Sequence, residues 1–302
     1  MDLISSLLKS FHLSTTVFER SRFCGHWRVD HPGGEQASFH LIASGRCWLD
    51  RLDGSPPLGL EEGDLLILPR DAPHHLSDVA APKRTAGEPR RADLADTEAG
   101  GTGIVCGYFV FDEGTSNPIL DALPEYVLIR AAELGRSHSL RGIVALLVEE
   151  AASRRPGSEA MIDRLSDALF IQVVRHHLER HPGDSTLGAA LADQAVHRAL
   201  QCLHDAPERD WDLPTLANAA AVSRSTLVAR FRASVGVSPM RYLKQWRLRL
   251  AHRLLRQGHS VSEACRHCGY VTEAGFSKAF KRHFGISPGA VRGRGGPAGQ
   301  TP

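Results

Sequence analysis

The sequence predicts an α+β protein of two domains. The N-terminal one is a small β-barrel carrying a helical hairpin, and the C-terminal one is all-α with two helix-turn-helix motifs in tandem. Three observations lead there. The first is a repeat in the last third. Gly236-Val-Ser-Pro239 recurs as Gly285-Ile-Ser-Pro288, and the pair Leu227 and Phe231 recurs as Phe276 and Phe280, each 49 residues on. A short helical segment, a tight turn and a capping hydroxyl (Ser223, Thr272) precede each pair, which is the pattern of a helix-turn-helix. The second is charge. Residues 196–302 carry 17 Lys+Arg and 6 Asp+Glu, net +11, whereas residues 1–195 are net −9. A basic module of this kind is the electrostatic footprint of phosphate binding. The third is a change of apolar pattern along residues 1–195, from short strands between turns to helical stripes.

In order along the chain, residues 1–18 read as a short amphipathic helix, with Leu3, Ile4, Leu7, Leu8 and Phe11 at helical spacing. Strands follow at Trp27–Val29, Ser38–Ile42, Cys47–Asp50, Leu58–Leu60 and Leu65–Leu68, separated by Pro/Gly or Asp/Gly breaks. Residues 80–103, rich in Ala, Gly, Pro and charge, predict a mobile loop. Ile104–Phe111 reads as a buried strand. Two helical stripes then form a hairpin: Leu140, Ile143, Val144, Leu147 and Val148, and Ile162, Leu165, Leu169, Val173 and Leu178. This hairpin is the expected surface of a homodimer. The domains read as 1–180, a linker at 181–195, a basic domain at 196–292 and a disordered tail at 293–302. No apolar run of about 18 residues predicts a membrane span. The first residues lack the pattern of a secretory signal. A cytoplasmic protein with its six cysteines reduced is therefore expected.

Residues 196–292 resemble the DNA-binding domain of AraC/XylS-type transcriptional regulators. The resemblance rests on Trp211-Asp-Leu-Pro-Thr-Leu-Ala217, Ser223-Arg-Ser-Thr-Leu227, Gly236-Val-Ser-Pro239, Arg247-Leu-Arg-Leu-Ala251, Gly269-Tyr270, Phe276-Ser-Lys-Ala-Phe-Lys281 and Phe284-Gly-Ile-Ser-Pro288. The N-terminal half resembles the cupin-type sensing domain of one branch of that family, chiefly through Leu60–Leu76, where Gly63-Asp64 turns into a strand and Pro69…Pro73-His74 turns out of it. The resemblance implies a sequence-specific regulator of transcription, more often an activator, with double-stranded DNA as partner and RNA polymerase as a second partner if it activates. It also implies a cupin-like barrel that senses a small molecule or oxidant. Ser225, Val228 and Ala229 in the first recognition helix, and Glu273, Ala274, Ser277 and Lys278 in the second, sit where family members read bases. Val228 and Ala229 are too short for bidentate hydrogen bonds but suit a thymine methyl. Arg224, Arg247 and Lys281 are expected to hold phosphates, which position the protein without reading sequence.

Cys265-Arg-His-Cys268 has the spacing of a metal or redox motif, but no second pair completes a site. Both positions fall on the first helix of a helix-turn-helix, so core packing is expected. His40, His74 and His75 lie on strands that a cupin barrel brings together. Enzymatic cupins hold a metal with His-x-His and a further Glu and His, and this chain lacks the His-x-His. The expectation is therefore polar residues lining the pocket, with no metal, no cofactor and no enzymatic activity. Cys24, flanked by Arg20, Arg22 and His26, and Cys106 are the candidate redox pair. Two other functions compete: a metal-dependent cupin enzyme fused to a DNA-binding domain, and a constitutive DNA-binding protein with a purely structural barrel.

Overall fold

The computed structural model describes residues 3–11, 13–34, 36–81, 89–111, 117–134, 137–153 and 155–294. In chain order, α1 (Leu3–Phe11) is followed by β1 (Ser14–Cys24), β2 (Arg28–His31), β3 (Ala37–Ser44), β4 (Arg46–Asp50) and β5 (Leu58–Glu61). Then come β6 (Leu65–Leu68), β7 (His74–Ser77), β8 (Arg90–Asp93), β9 (Thr102–Val110), α2 (Pro118–Asp121), β10 (Val127–Ile129), α3 (Ala131–Leu134), α4 (His138–Ala152) and α5 (Ser158–Arg180). The remainder is helical: α6 (Thr186–Ala192), α7 (Gln194–Asp205), α8 (Leu213–Ala219), α9 (Arg224–Val235), α10 (Pro239–Arg256), α11 (Val261–His267), α12 (Glu273–Phe284) and α13 (Pro288–Arg294).

Two compact units result. One comprises residues 13–111 and 123–180; the other comprises residues 1–12, 112–122 and 181–302. The β unit holds a six-stranded sheet, β10-β6-β3-β9-β1-β8, and a four-stranded sheet, β2-β7-β4-β5. All pairings are antiparallel. The sheets do not close on each other but share one core, as in a jelly roll. Phe23, Ile42, Leu66, Leu68, Ile104 and Cys106 meet Trp27, Cys47, Leu49, Leu60 and Leu76 there. The other face of the six-stranded sheet is covered too: the Phe109 ring lies 5.0 Å from Phe39 and 4.7 Å from Phe170 of α5. Burial on both faces explains why β3 and β6 read as continuous apolar runs rather than alternations.

Several expected boundaries shift. The N-terminal helix ends at Phe11, and β1 fills residues 14–24, where alternating burial (Thr15 in, Thr16 out) reveals the strand. Residues 90–93 of the expected loop form an edge strand on β1, and residues 82–88 lie outside the described ones, as do 295–302 of the expected tail. The expected linker 181–195 holds α6, capped by Ser185, and the start of α7, capped by Asp193. The hairpin stripes are used inside their own unit: Leu140, Val144, Leu147, Leu169 and Val173 are buried in it. Leu146 and Met161, 51% and 50% exposed, are the large apolar side chains α4 and α5 leave outside.

Candidate functional site

In the helical unit, α8–α9 and α11–α12 are the two helix-turn-helix motifs. Leu227 and Phe231 of α9, and Phe276 and Phe280 of α12, are fully buried, so they fix which face of each helix looks outward. That face presents Arg224, Ser225, Ala229 and Arg232 on α9, with Val228 half-buried at its margin. On α12 it presents Glu273, Ala274, Lys278 and Lys281, with half-buried Ser277. Each helix opens on a hydroxyl that accepts a backbone N–H: Ser223 from Thr226, and Thr272 from Gly275. Ser225 Oγ lies 3.0 Å from Ser223 Oγ, which orients it beside the cap. Each helix ends on a left-handed glycine, Gly236 and Gly285.

The two turns differ in length. In the first, Ala221 takes the left-handed conformation (φ 58°) and only Val222 separates it from the Ser223 cap. In the second, Gly269 takes it (φ 67°), and both Tyr270 and Val271 precede the Thr272 cap. The backbone bonds match up to that point, Val222 N to Ala217 O and Tyr270 N to Cys265 O. Val271 is therefore the extra residue, and it is 99% exposed beside the start of α12. The constant 49-residue offset of the buried skeleton hides it in the sequence. A break in the offset, 48 at the turns and 49 at the caps, was the available signal.

Arg247 departs from the phosphate role expected of it. Its Nε donates to Pro207 O at 2.6 Å and its Nη2 to Arg209 O at 2.8 Å, so the guanidinium clamps the 206–211 loop. Gly269 abuts the same loop: a Cβ there would lie 2.7 Å from Glu208 O. Cys265 and Cys268 sit in the core with Phe276 and Phe280, and burial pushes the Cys268 thiol up to about 12. The helical unit also buries a polar cluster that no sequence motif announces. His204 Nε2 lies 2.8 Å from Tyr242 Oη and its ring stacks on Trp246 at 3.8 Å. Burial, and then the Arg249 charge, depress His204 to about 3.

In the β unit the ladders bring histidines from both sheets together. β2 pairs His31 with His74 of β7, and β3 pairs His40 with Cys106 of β9. His40 Nε2 meets His74 Nε2 at 2.9 Å across the interior, and His40 Nδ1 lies 2.9 Å from Cys106 Sγ. His74 Nδ1 is 2.8 Å from Ala72 O, which can only accept. Neutral rings then allow one proton order: Cys106 thiol to His40 Nδ1, His40 Nε2–H to His74 Nε2, and His74 Nδ1–H to Ala72 O. Burial, with the proximity of His74, holds His31 near 4 and His40 well below its ordinary value, and burial lowers His74. All three are thus neutral at neutral pH. A cavity of about 30 Å³ lies alongside, lined in part by Phe18, His31 and Cys106.

Two expected members fall elsewhere. His75 points to the opposite face from His74, as successive strand residues must, and its Nε2 faces Asp50 Oδ2 at 3.3 Å. Cys24 is buried in β1, not in a flexible arm, and its thiol donates to Arg22 O and Gly100 O. Cys106 pairs with Glu19, five residues short of Cys24, which is about 16 Å along a strand. That is beyond the reach of a disulfide, so as folded the two do not form a redox pair.

Residues 2–179 match the Cupin family and residues 216–294 a helix-turn-helix domain family. An AraC-like transcription regulator of Streptomyces lividans is 34% identical over 299 residues, covering 96% of each chain. The RCS-specific HTH-type transcriptional activator RclR of Escherichia coli strain K12 is 26% identical, covering 97% of this chain and 98% of its own. The DNA-binding domain of AdpA, solved in complex with a target DNA, is 32% identical over 36% of this chain and 100% of that one, with a TM-score of 0.33.

Proposed function

The chain belongs to the AraC-like transcription regulators, with a cupin domain ahead of an AraC-type DNA-binding domain, and on that premise we propose that it is a signal-responsive activator acting as a homodimer. Double-stranded DNA is the partner of such a domain, and the relatives are named as regulators, not enzymes. The observation that carries the signal-responsive part is the buried Cys106–His40–His74 chain, which bridges the two sheets. A structural barrel gains more from packed apolar residues than from polar groups it must desolvate. The space beside this chain, about 30 Å³ among the described residues, holds about one water molecule. That suits a small oxidant or an ion better than a sugar-sized effector, whose pockets start at roughly 300 Å³.

Activation is supported by the name of the RclR relative, and would bring RNA polymerase as a further partner. A dimer would use the outer face of α4 and α5 around Leu146 and Met161, since the inner stripe is occupied. Footprinting of full-length protein on the DNA upstream of its own gene, with and without hypochlorite or peroxide, tests the reading. Protection that changes with oxidant in the wild type and in Cys202→Ser, but not in Cys106→Ser, is expected. Protection that ignores every oxidant, together with unchanged reporter output, would favour a purely structural barrel.

A further inference from the structure

We propose that His31, His40 and His74 form a binding site for a transition-metal ion of the zinc–copper class inside the cupin domain. The three side chains come from β2, β3 and β7, and one ring nitrogen from each lies within 4.8 Å of the other two. The arrangement differs from the enzymatic cupin set in having single histidines from three strands, with no His-x-His pair.

Three features make it a site rather than a crowd of rings. The Nε2 atoms of His40 and His74 converge head to head at 2.9 Å, in a place sealed from solvent. Two such atoms in tetrahedral zinc coordination, with Zn–N of about 2.0–2.1 Å, stand about 3.3 Å apart, so an ion replaces the bridging proton with a small opening of the pair. Both of these rings also have an outer partner on the other nitrogen: His74 donates Nδ1–H to Ala72 O, and His40 Nδ1 faces Cys106 Sγ. Such outer contacts orient metal-ligating histidines and fix the nitrogen that binds. With the ion at Nε2, His40 carries its proton on Nδ1 and donates it to the Cys106 sulfur. Lastly, the small cavity bordering His31 and Cys106 leaves free space beside the third ring, and three protein ligands leave the fourth position of a tetrahedral ion to a water or other small ligand.

The donor set decides the class of ion. Three imidazoles without a carboxylate select zinc, copper and their neighbours, and reject magnesium and calcium. His31 is the movable member. It is half-buried at the rim and stacks on His74 at 11° between planes, so it must tilt to bring a nitrogen onto the shared point.

The test uses untagged full-length protein, stripped with chelator and titrated with zinc alone, then with cobalt(II) as a spectroscopic reporter. One equivalent of zinc per chain at sub-micromolar affinity is expected, with no uptake of magnesium. Bound cobalt should show the intense visible absorption of a tetrahedral site. His31→Ala, at the rim, should fold normally by circular dichroism and bind zinc at least about tenfold more weakly. His74→Gln should lose the cobalt spectrum, and Cys265→Ser/Cys268→Ser should keep it. Zinc affinity indifferent to His31→Ala, or lost in the Cys265/Cys268 variant, would overturn the assignment, as would absence of binding below 0.1 mM (an upper limit of about −5.5 kcal/mol).

Discussion

Side chains of one type take opposite roles here according to what surrounds them. Arg247 and Lys278 are both cations of the basic unit, yet Arg247 holds two backbone carbonyls while Lys278 is exposed on the outward face of α12. Arg247→Ala should therefore lower stability by roughly 1.5–3 kcal/mol, the range for hydrogen bonds to a charged group. DNA binding should weaken along with it. An unchanged melting temperature with uniformly weaker binding would return Arg247 to the phosphate role. Val271 calls for the opposite experiment. At 99% exposure Val271→Ser should leave stability within about 0.5 kcal/mol. A base preference altered at one position of the operator would identify it as a reader of a thymine methyl; a binding profile unchanged at every position would remove it from the interface. His204 adds a pH dependence. Its folded pKa is depressed to about 3, so between that value and 6.5 the unfolded chain binds the extra proton. The stability it contributes is complete above pH 6.5 and is lost as pH falls toward 3. Between pH 7 and pH 5 the wild type should lose about 2 kcal/mol more than His204→Gln, which keeps a partner for Tyr242 but cannot titrate. Urea midpoints at the two pH values measure this, and equal losses would refute it.

At the scale of elements, what could be read in advance was whatever repeats with a period. The helices α4, α5, α9 and α12 were legible because each carries a stripe of buried residues and, for α9 and α12, a capping hydroxyl and a terminal glycine. Strands β3, β4, β5, β6 and β9 were legible as apolar runs between turns. β1 was not, because Thr-Thr-Val-Phe-Glu-Arg-Ser-Arg alternates mostly polar groups and only its pairing with β9 shows its strand character. β8 is an edge strand of charged residues, a composition that protects an open edge and reads as loop. The histidine cluster was half legible. His40 and His74 stand out, but His31 lies two residues past the strand expected at Trp27–Val29 and is placed opposite His74 only by the register, and His75 is next to His74 in sequence although strand alternation sends it away. The caps themselves give a prediction. Ser223→Ala and Thr272→Ala each remove one acceptor from a helix start and should cost about 1 kcal/mol. The two should add within about 0.5 kcal/mol, because they sit on separate motifs. A combined loss well beyond the sum would mean that the motifs unfold as one.

At the scale of the whole molecule, the two units do not follow the chain's order. The sequence divides by charge and pattern near residue 190, and residues 196–302 do hold both helix-turn-helix motifs. Yet the helical unit also takes in residues 1–12 and 112–122, which sequence order assigns to the N-terminal domain. No periodicity could have shown this, since an amphipathic helix states that it has a partner but not which one. The consequence lies in α1. Leu3 and Leu7 are each 1% exposed, and together with Ala122, Leu187, Ala190 and Leu200 they line an apolar cavity of about 160 Å³ within this unit. A fragment of residues 181–302, which keeps the +11 segment, should still bind DNA with a steep salt dependence. It should nonetheless be less stable than the same unit in the full chain, because loss of α1 uncovers Leu187, Ala190 and Leu200. Leu3→Ala or Leu7→Ala in the full chain should each cost about 2–5 kcal/mol, the range for a large-to-small change in a packed core. Hydrogen exchange places the effect. With Leu7→Ala, faster exchange should concentrate in α6, α7 and α10, while the strands of the β unit keep their protection. Faster exchange confined to the β unit would assign α1 to that unit after all, and would restore the simple division of the chain near residue 180.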